Sequence, residues 1–415
     1  MERYVESTVD YSQQKITWLN SRCRQLVFAL LNRIEEGALE IVEGENTYSF
    51  GNIEHSNNVQ LQGKMVINDA TAYIDFVRGG SIGVAQAFID DKWSTPDLTT
   101  IIRIFAKAQK LTDQLEQKMA WINKLKYKLF HRRNHNSKAG SKKNILAHYD
   151  LGNELYTRFL DKEMMYSAAI YPNSDASLEQ AQLHKLEMIC QRLQLQESDH
   201  ILEIGTGWGG LAIYAASHYG CKVTTTTISD AQHEYAEQRV KELNLEDKIT
   251  LLKEDYRNLT GQYDKVVSIE MIEAVGHEYM QSFFQQCNDR LKPGGRLLIQ
   301  AITIADQRFE HYLHNVDFIQ RYIFPGGFLP SINLMTNMLT KETSCVLEEL
   351  HDIGLDYART LADWRTRFLQ SFNQLTEFGY DQRFKRLWLY YLGYCEGAFL
   401  ERATSTVHFV ARKAQ

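Results

Sequence analysis

Residues 200–232 read HILEIGTGWGGLAIYAASHYGCKVTTTTISDAQ, and Gly205, Gly207, Gly209 and Gly210 follow directly on a short apolar run. Glycine is needed where a chain turns with positive φ and where a ligand approaches the backbone with no Cβ between them. The spacing therefore predicts a nucleotide-binding turn between a strand and a helix, and it fits both a dinucleotide and a sulfonium nucleoside. The next strand separates the two. A nicotinamide site wants an acid about 20 residues on to grip the ribose. Here Thr224, Thr225, Thr226 and Thr227 end that strand without one, while Glu203 stands just ahead of the first glycine, where a carboxylate meets the ammonium end of a methionyl ligand. The pattern points to S-adenosylmethionine and away from an NAD oxidoreductase.

The elements that must hold this loop are legible around it. HILEIG, CKVTTTTI, ITLLKED, DKVVSIEM and GRLLIQAITI read as buried strands, with helical runs such as GLAIYAASHY and SDAQHEYAEQRVKEL between them, which predicts a parallel α/β sheet. Ahead of them CRQLVFALLNRI has helical spacing, GALEIVEGENTYSFG alternates around Gly44-Glu45-Asn46, and a helical stretch runs from Leu98 to Lys110. At 415 residues the chain exceeds the roughly 250–300 of one core. The expected division is an α+β domain over 1–117, a basic linker and amphipathic segment over 118–143, and the larger α/β domain over 144–415. The middle segment carries nine Lys or Arg and no acid, interleaved with Trp121, Leu125, Tyr127, Leu129 and Phe130. Such a stretch lies well on an anionic bilayer surface. A solvated helix running into the linker NHNSKAGSKK is the equally weighted alternative.

Composition narrows the function further. Hydrophobic residues at 44% and only five prolines belong to a chain with a large core. A net charge of −6 offers nucleic acid no general field. Cys23, Cys190, Cys221, Cys287, Cys345 and Cys395 form no CxxC pair, so neither a zinc framework nor a disulfide scaffold is expected. His148, His277, His311 and His314 have no metal-ligand spacing, and no metal is expected. The start MERYVESTVDYSQQ lacks the basic and apolar regions of a signal peptide, and no run reaches the ~18 apolar residues of a membrane span. A cytoplasmic protein that meets a membrane from its surface is the expectation.

Six motifs, HYDLGNELY (148–156), LEIGTGWGG (202–210), TISDAQ (227–232), EDYRNL (254–259), RYIFPGG (321–327) and GLDYARTLADW (354–364), in this order resemble the cyclopropane fatty acid synthase family, which includes the mycolic acid cyclopropane synthases and related lipid methyltransferases. The likeness is close from about residue 145 onward and looser before it. It implies a Rossmann-like class I methyltransferase domain, a smaller N-terminal lipid-binding domain, a membrane phospholipid substrate and a homodimer. It assigns the cofactor to Tyr166 and Ser167, to Gly205 and Gly207, to Thr227, Ile228 and Gln232 around the ribose, and to Asp255 and Tyr256 at the adenine. The reaction it implies is methylation of a cis double bond in an acyl chain, through a carbocation. Loss of a proton from the new methyl closes a cyclopropane, whereas loss from a neighbouring carbon leaves a methyl-branched alkene.

A cation of that kind needs negative or π-rich, dry surroundings. The family positions for them are Glu273, Tyr357, Tyr322 and Phe324. The resemblance also implies a bicarbonate base, held by a cysteine, a glutamate, a histidine, an isoleucine backbone and a tyrosine. Glu273, Ile302 and Tyr357 keep their places in that cage, whereas Ala168 and Gln300 replace the cysteine and the histidine, and Ala274 replaces the histidine after the motif glutamate. A glutamine amide donates a hydrogen bond but cannot exchange a proton near neutral pH as imidazole does. Methyl transfer is therefore expected to be retained, with cyclopropane and methyl-branched products both open. A lipid-binding homologue without catalysis is the alternative of another class. Cys395, in RFKRLWLYYLGYCEGAFLERA, stands where the family also has a cysteine and is a candidate nucleophile, weighed against the reading of a buried apolar residue.

Overall fold

The computed structural model describes residues 17–52, 61–108, 134, 136, 137, 140 and 152–415. The basic segment over 118–143 lies almost wholly outside the described residues. The chain divides into two compact units, one formed by Met1–Lys126 with Gly379–Glu401 and the other by Tyr127–Phe378 with Arg402–Gln415.

In the first unit α1 (Trp18–Leu31) leads into β1 (Gly37–Glu43), β2 (Asn46–Asn52) and β3 (Gln62–Ile67), followed by α2 (Ala72–Ile89), β4 (Trp93–Ser94) and α3 (Leu98–Lys107). The sheet order is β2-β1-β3-β4. The β1–β2 hairpin turns at Gly44, whose φ of 57° suits glycine. Residues 379–401, placed by continuity with the larger domain at the sequence level, belong here instead. The helix Gln382–Leu400 has Gly393 and Gly397 one turn apart, and a Cβ on Gly397 would stand 2.7 Å from the Ile102 side chain. Two glycines at this spacing make a smooth face that α3 packs against, and buried Glu396 accepts a hydrogen bond from Thr99 there at 3.0 Å.

The second unit opens with α4 (Asn153–Phe159) and α5 (Leu178–Leu193), the latter started by a Ser177/Gln180 capping box. Then come β5 (His200–Ile204), α6 (Gly210–Tyr219), β6 (Lys222–Thr226), α7 (Asp230–Glu242), β7 (Ile249–Leu252), β8 (Tyr263–Ile269), α8 (Met280–Arg290) and β9 (Leu291–Ile304). Short α9 (Phe309–His314) and α10 (Phe318–Tyr322) precede α11 (Ile332–Glu342), β10 (Cys345–Asp352), α12 (Gly354–Leu375) and β11 (Thr404–Lys413). The seven strands run in the order β10-β11-β9-β8-β5-β6-β7. β5 to β9 are mutually parallel, whereas β11 is antiparallel to both β9 and β10. The parallel α/β sheet expected from the sequence is present in β5 to β9, and β11 and β10 extend it antiparallel at one edge. β10 is the edge strand and mostly exposed, so its sequence lacks the continuous apolar run of a central strand. Phe283, Phe284, Met335 and Leu339 cover one face of the sheet, and Leu186, Ile189, Leu211 and Ile213 the other. Among the described residues no helix is long and apolar enough to cross a membrane, and no cluster of ligands suits a metal.

Candidate active site

Strand β5 delivers the chain to the glycine loop at its carboxyl end, where ligands of open α/β sheets bind. Gly205, Gly207 and Gly209 have φ of 106°, 53° and 90°, which L side chains adopt only under strain. The N–H groups of Gly205 and Thr206 both donate to the Thr226 carbonyl, at 3.1 and 3.0 Å. A Cβ on Gly207 would meet nothing within 4 Å, so the loop presents a bare backbone with open space before it, as close approach of a nucleoside requires. Gly210 serves packing instead, since a Cβ there would lie 2.5 Å from Met165 Sδ.

Glu203, expected to face the ammonium end of the ligand, is turned into the apolar layer beneath α6. It is 3% exposed and shares an enclosed space with Leu193, Leu211, Ala215 and Val267. Thr225 donates to its carboxyl at 2.6 Å and is itself bonded to Thr206 at 2.7 Å. Burial pushes its pKa up to about 8. Glu203 therefore props the glycine loop through Thr225 and Thr206.

Around the ribose position, Thr227 Oγ1 donates to Gln232 Oε1 at 2.9 Å, which leaves Gln232 Nε2 as an uncommitted donor among the described residues. Ile228 is half-buried beside it. Asp255 is gripped by Arg257 in a two-pronged ion pair, with Nε–Oδ1 2.8 Å and Nη2–Oδ2 2.6 Å, and that pairing raises the Arg257 pKa. Tyr256 packs edge-on against Phe283 with centroids 5.7 Å apart, and its hydroxyl is buried with no partner among the described residues.

A row of aromatic rings leads from the loop to the carboxylates. Trp208 packs on Tyr156 (4.9 Å between centroids), Tyr156 on Tyr166 (5.2 Å), Tyr166 on Trp364 (5.3 Å) and Trp364 on Tyr357 (6.0 Å). Ser167 is pinned by the fully buried Lys185, whose Nζ donates to Ser167 Oγ at 2.7 Å. Burial lowers the Lys185 pKa to about 8. At the end of the row the Tyr357 hydroxyl donates to Glu270 Oε2 at 2.9 Å.

Glu270 is the centre of the site, although the sequence reading did not single it out. Its Oε1 accepts from the Ala168 N–H at 2.9 Å and from Gln300 Nε2 at 2.7 Å. In return the Glu270 N–H donates to the Gln300 carbonyl at 2.8 Å. Its φ of 48° puts a bulky residue in the left-handed region, a conformation that persists only where its surroundings dictate it. Gln300 is held from behind: its Oε1 meets His408 Nε2 at 2.8 Å, and His408 Nδ1 meets Arg192 Nη1 at 2.5 Å. Arginine only donates, so Nδ1 is the acceptor, Nε2 carries the proton, and Gln300 must turn its amide N–H towards Glu270. Burial holds the His408 pKa well below the usual histidine value.

Glu273 lies one short turn further on. Its Oε1 accepts from the Ile302 N–H at 2.5 Å, and its carbonyl accepts from the Phe328 N–H at 2.8 Å, which ties the FPGG loop to the site. Oε2 is buried with no partner among the described residues. Burial first, and then the neighbouring Glu270 charge, push the Glu273 pKa up to about 8. Burial raises the Glu270 pKa as well, against the opposing pull of the Ala168, Gln300 and Tyr357 donors and of the Lys185 charge, whereas Glu273 holds its proton near neutral pH. Ala274 contributes only its backbone, bonded to Met271.

The sequence-predicted residues Tyr166, Ser167, Ala168, Glu273, Gln300, Ile302 and Tyr357 converge here, and the structure adds Glu270, Lys185, Arg192 and His408. Cys395 belongs to the first unit, on the helix Gln382–Leu400. An exogenous bicarbonate does not fit the donor set. The donors at Ala168, Gln300 and Tyr357 are taken by Glu270, and the Ile302 N–H is taken by Glu273.

A seven-stranded sheet of this order, with a glycine loop at the end of its central strand and an open backbone before it, defines a class I S-adenosylmethionine-dependent methyltransferase. The profile of the mycolic acid cyclopropane synthetase family matches residues 136–409, and the chain belongs to that family. It is 38% identical over 326 residues to the cyclopropane-fatty-acyl-phospholipid synthase of Escherichia coli, covering 78% of this chain and 81% of that one. It is 34% identical over 329 residues to a tuberculostearic acid methyltransferase of Mycobacterium tuberculosis, covering 78% and 76%. Among solved structures, the cyclopropane synthase MmaA2 of Mycobacterium tuberculosis superposes with a TM-score of 0.61 at 27% identity, over 66% of this chain and 98% of that one. The mycolic acid cyclopropane synthase CmaA1, complexed with SAH and CTAB, gives 0.61 at 26% identity over the same shares.

Proposed function

We propose that the enzyme transfers the methyl group of S-adenosylmethionine to the cis double bond of an unsaturated acyl chain in a membrane phospholipid and closes a cyclopropane. The observation that carries this reading is a pair of acidic side chains at the end of an aromatic row that begins at the glycine loop. When bound, the cofactor supplies an electrophilic methyl group on a sulfonium. Tyr166, Trp364 and Tyr357 offer π faces to positive charge, and Glu270 offers a fixed negative charge towards a cation in the acyl chain. The name of the Escherichia coli relative supports a phospholipid acyl chain as acceptor.

The second reading, a methyl-branched unsaturated chain, is favoured by Ala168 and Gln300 and by the name of the mycobacterial relative. Both products gain one CH₂ and are isomers, so ozonolysis before mass spectrometry of phospholipids incubated with enzyme and cofactor separates them. A product that gains CH₂ and resists cleavage is a cyclopropane, and one that is cleaved at a double bond is methyl-branched. Absence of S-adenosylhomocysteine with every unsaturated phospholipid tested would leave only a lipid-binding homologue.

We further propose that the enzyme works as a homodimer at the membrane surface, with the basic segment over 118–143 as its contact. Replacing Lys124, Lys126, Lys128, Arg132 and Arg133 with Gln is expected to weaken binding to anionic vesicles at least tenfold, and unchanged binding would remove that role.

A further inference from the structure

We propose that Glu270 is a built-in carboxylate base, standing where the donors of this site would otherwise hold a free anion. The inference rests on the methyl-transfer reading above and names the proton acceptor within it. Four observations carry it. A backbone N–H, an amide and a phenol converge on one carboxylate, from Ala168, Gln300 and Tyr357. Three of its roughly four lone-pair positions are thereby used, and one on Oε2 remains. The residue keeps part of its surface accessible, and its left-handed backbone holds the group in place. Behind it Arg192, His408 and Gln300 form a one-way chain of donors that ends on the carboxylate, so the charge on Arg192 is relayed as polarisation towards Glu270.

The chemistry balances without a further reactant. The π electrons of the acyl double bond form a new C–C bond to the methyl group while the S–CH₃ bond breaks, and its electron pair stays on sulfur. The resulting carbocation loses a proton to Glu270 Oε2. The electron pair of that C–H bond becomes the third side of the ring, or a new C=C if the proton leaves a neighbouring carbon. Glu270 then carries the proton until solvent takes it. Glu273, protonated near neutral pH, does not compete for this step.

The test compares the wild-type enzyme with Glu270→Gly, whose φ of 48° suits glycine and whose missing side chain opens the three donors, and with Glu270→Gln, which keeps the shape. Wild-type turnover is expected to be the same within twofold in bicarbonate-depleted and bicarbonate-supplemented buffer. Both variants should lose about 10²–10⁴-fold in kcat, with the cofactor Kd within about threefold of wild type. Bicarbonate or formate should restore Glu270→Gly at least tenfold and leave Glu270→Gln unmoved. A second arm reads no turnover: titration with ¹³C-labelled bicarbonate should show binding to Glu270→Gly and none to the wild type. Wild-type dependence on bicarbonate, substantial activity in Glu270→Gln, failure of both anions to restore Glu270→Gly, or bicarbonate bound to the wild type would each overturn the proposal. If the wild type methylates no lipid, the function reading fails by itself, while the binding arm still decides what occupies the donor cage.

Discussion

His408 makes no contact with Glu270, yet replacing it with Phe should be felt there. The ring has no exposed surface, and both nitrogens are committed, to Gln300 and to Arg192. Phe has similar volume and neither bond. Gln300 Oε1 and the Arg192 guanidinium each lose a buried partner, at about 1–3 kcal/mol per group, so a loss of about 2–5 kcal/mol at pH 7.5 is expected. The pH dependence makes the prediction sharper. His408 has a folded pKa held well below 6.5 by burial, so below pH 6.5 the unfolded chain binds a proton that the folded chain refuses. The sign follows: this residue contributes stability above the unfolded pKa, and the contribution is lost as pH falls below it. As pH falls from 6.5 to 5 the wild type should lose stability through this group, a loss that His408→Phe cannot show. Urea denaturation read by hydrogen exchange in β9 and β11 follows the right region in a two-unit chain. The gap between wild type and variant should narrow between pH 7.5 and pH 5. A gap below about 1 kcal/mol at pH 7.5, or one that stays constant with pH, would refute the doubly bonded neutral histidine.

Other parts of the site give independent checks. Gly207→Ala places a Cβ in the open space before the loop at a φ of 53°. The strain of about 1–2 kcal/mol should be accompanied by at least a tenfold rise in cofactor Kd by calorimetry, and an unchanged Kd would mean that the ligand does not approach this face. Glu203 has a folded pKa of about 8 against about 4.3 unfolded. Its contribution is therefore complete below the lower value and is lost as pH rises through the upper one, by up to about 1.4 kcal/mol per pH unit. Glu203→Gln should flatten the stability profile across that window and exceed the wild type at pH 9; identical profiles would mean that the carboxyl is ionised in place.

Much of the second unit could be read from residue order alone. The apolar runs that became β5 to β9 are interior strands with local signatures, and the loop at Gly205, Gly207 and Gly209 announces itself because positive φ and bare backbone leave few other residue types. The convergence of Tyr166, Gln300, Ile302 and Tyr357 was likewise legible, through the motifs that carry them. Glu270 is the last residue but one of the run DKVVSIEM, and in the sequence SIEMIEAVG the presence of two glutamates three positions apart was the available signal.

What the sequence could not say is which carboxylate faces what. Glu203 and Glu270 both end or follow an interior strand, yet one points beneath α6 and the other into the site, because strand alternation and the turn at Glu270 send them to different faces. The allegiance of residues 379–401 rests on how two glycines meet α3, a contact across about 290 positions that no local pattern encodes. The partnership of His408 with Gln300 depends on β11 entering the sheet antiparallel beside β9 with those residues in register. Local residue types thus determined the cofactor loop and the class of chemistry. The identity of the proton acceptor was decided by tertiary packing, since the donors that orient the Glu270 carboxylate and the burial that raises its pKa both come from distant segments.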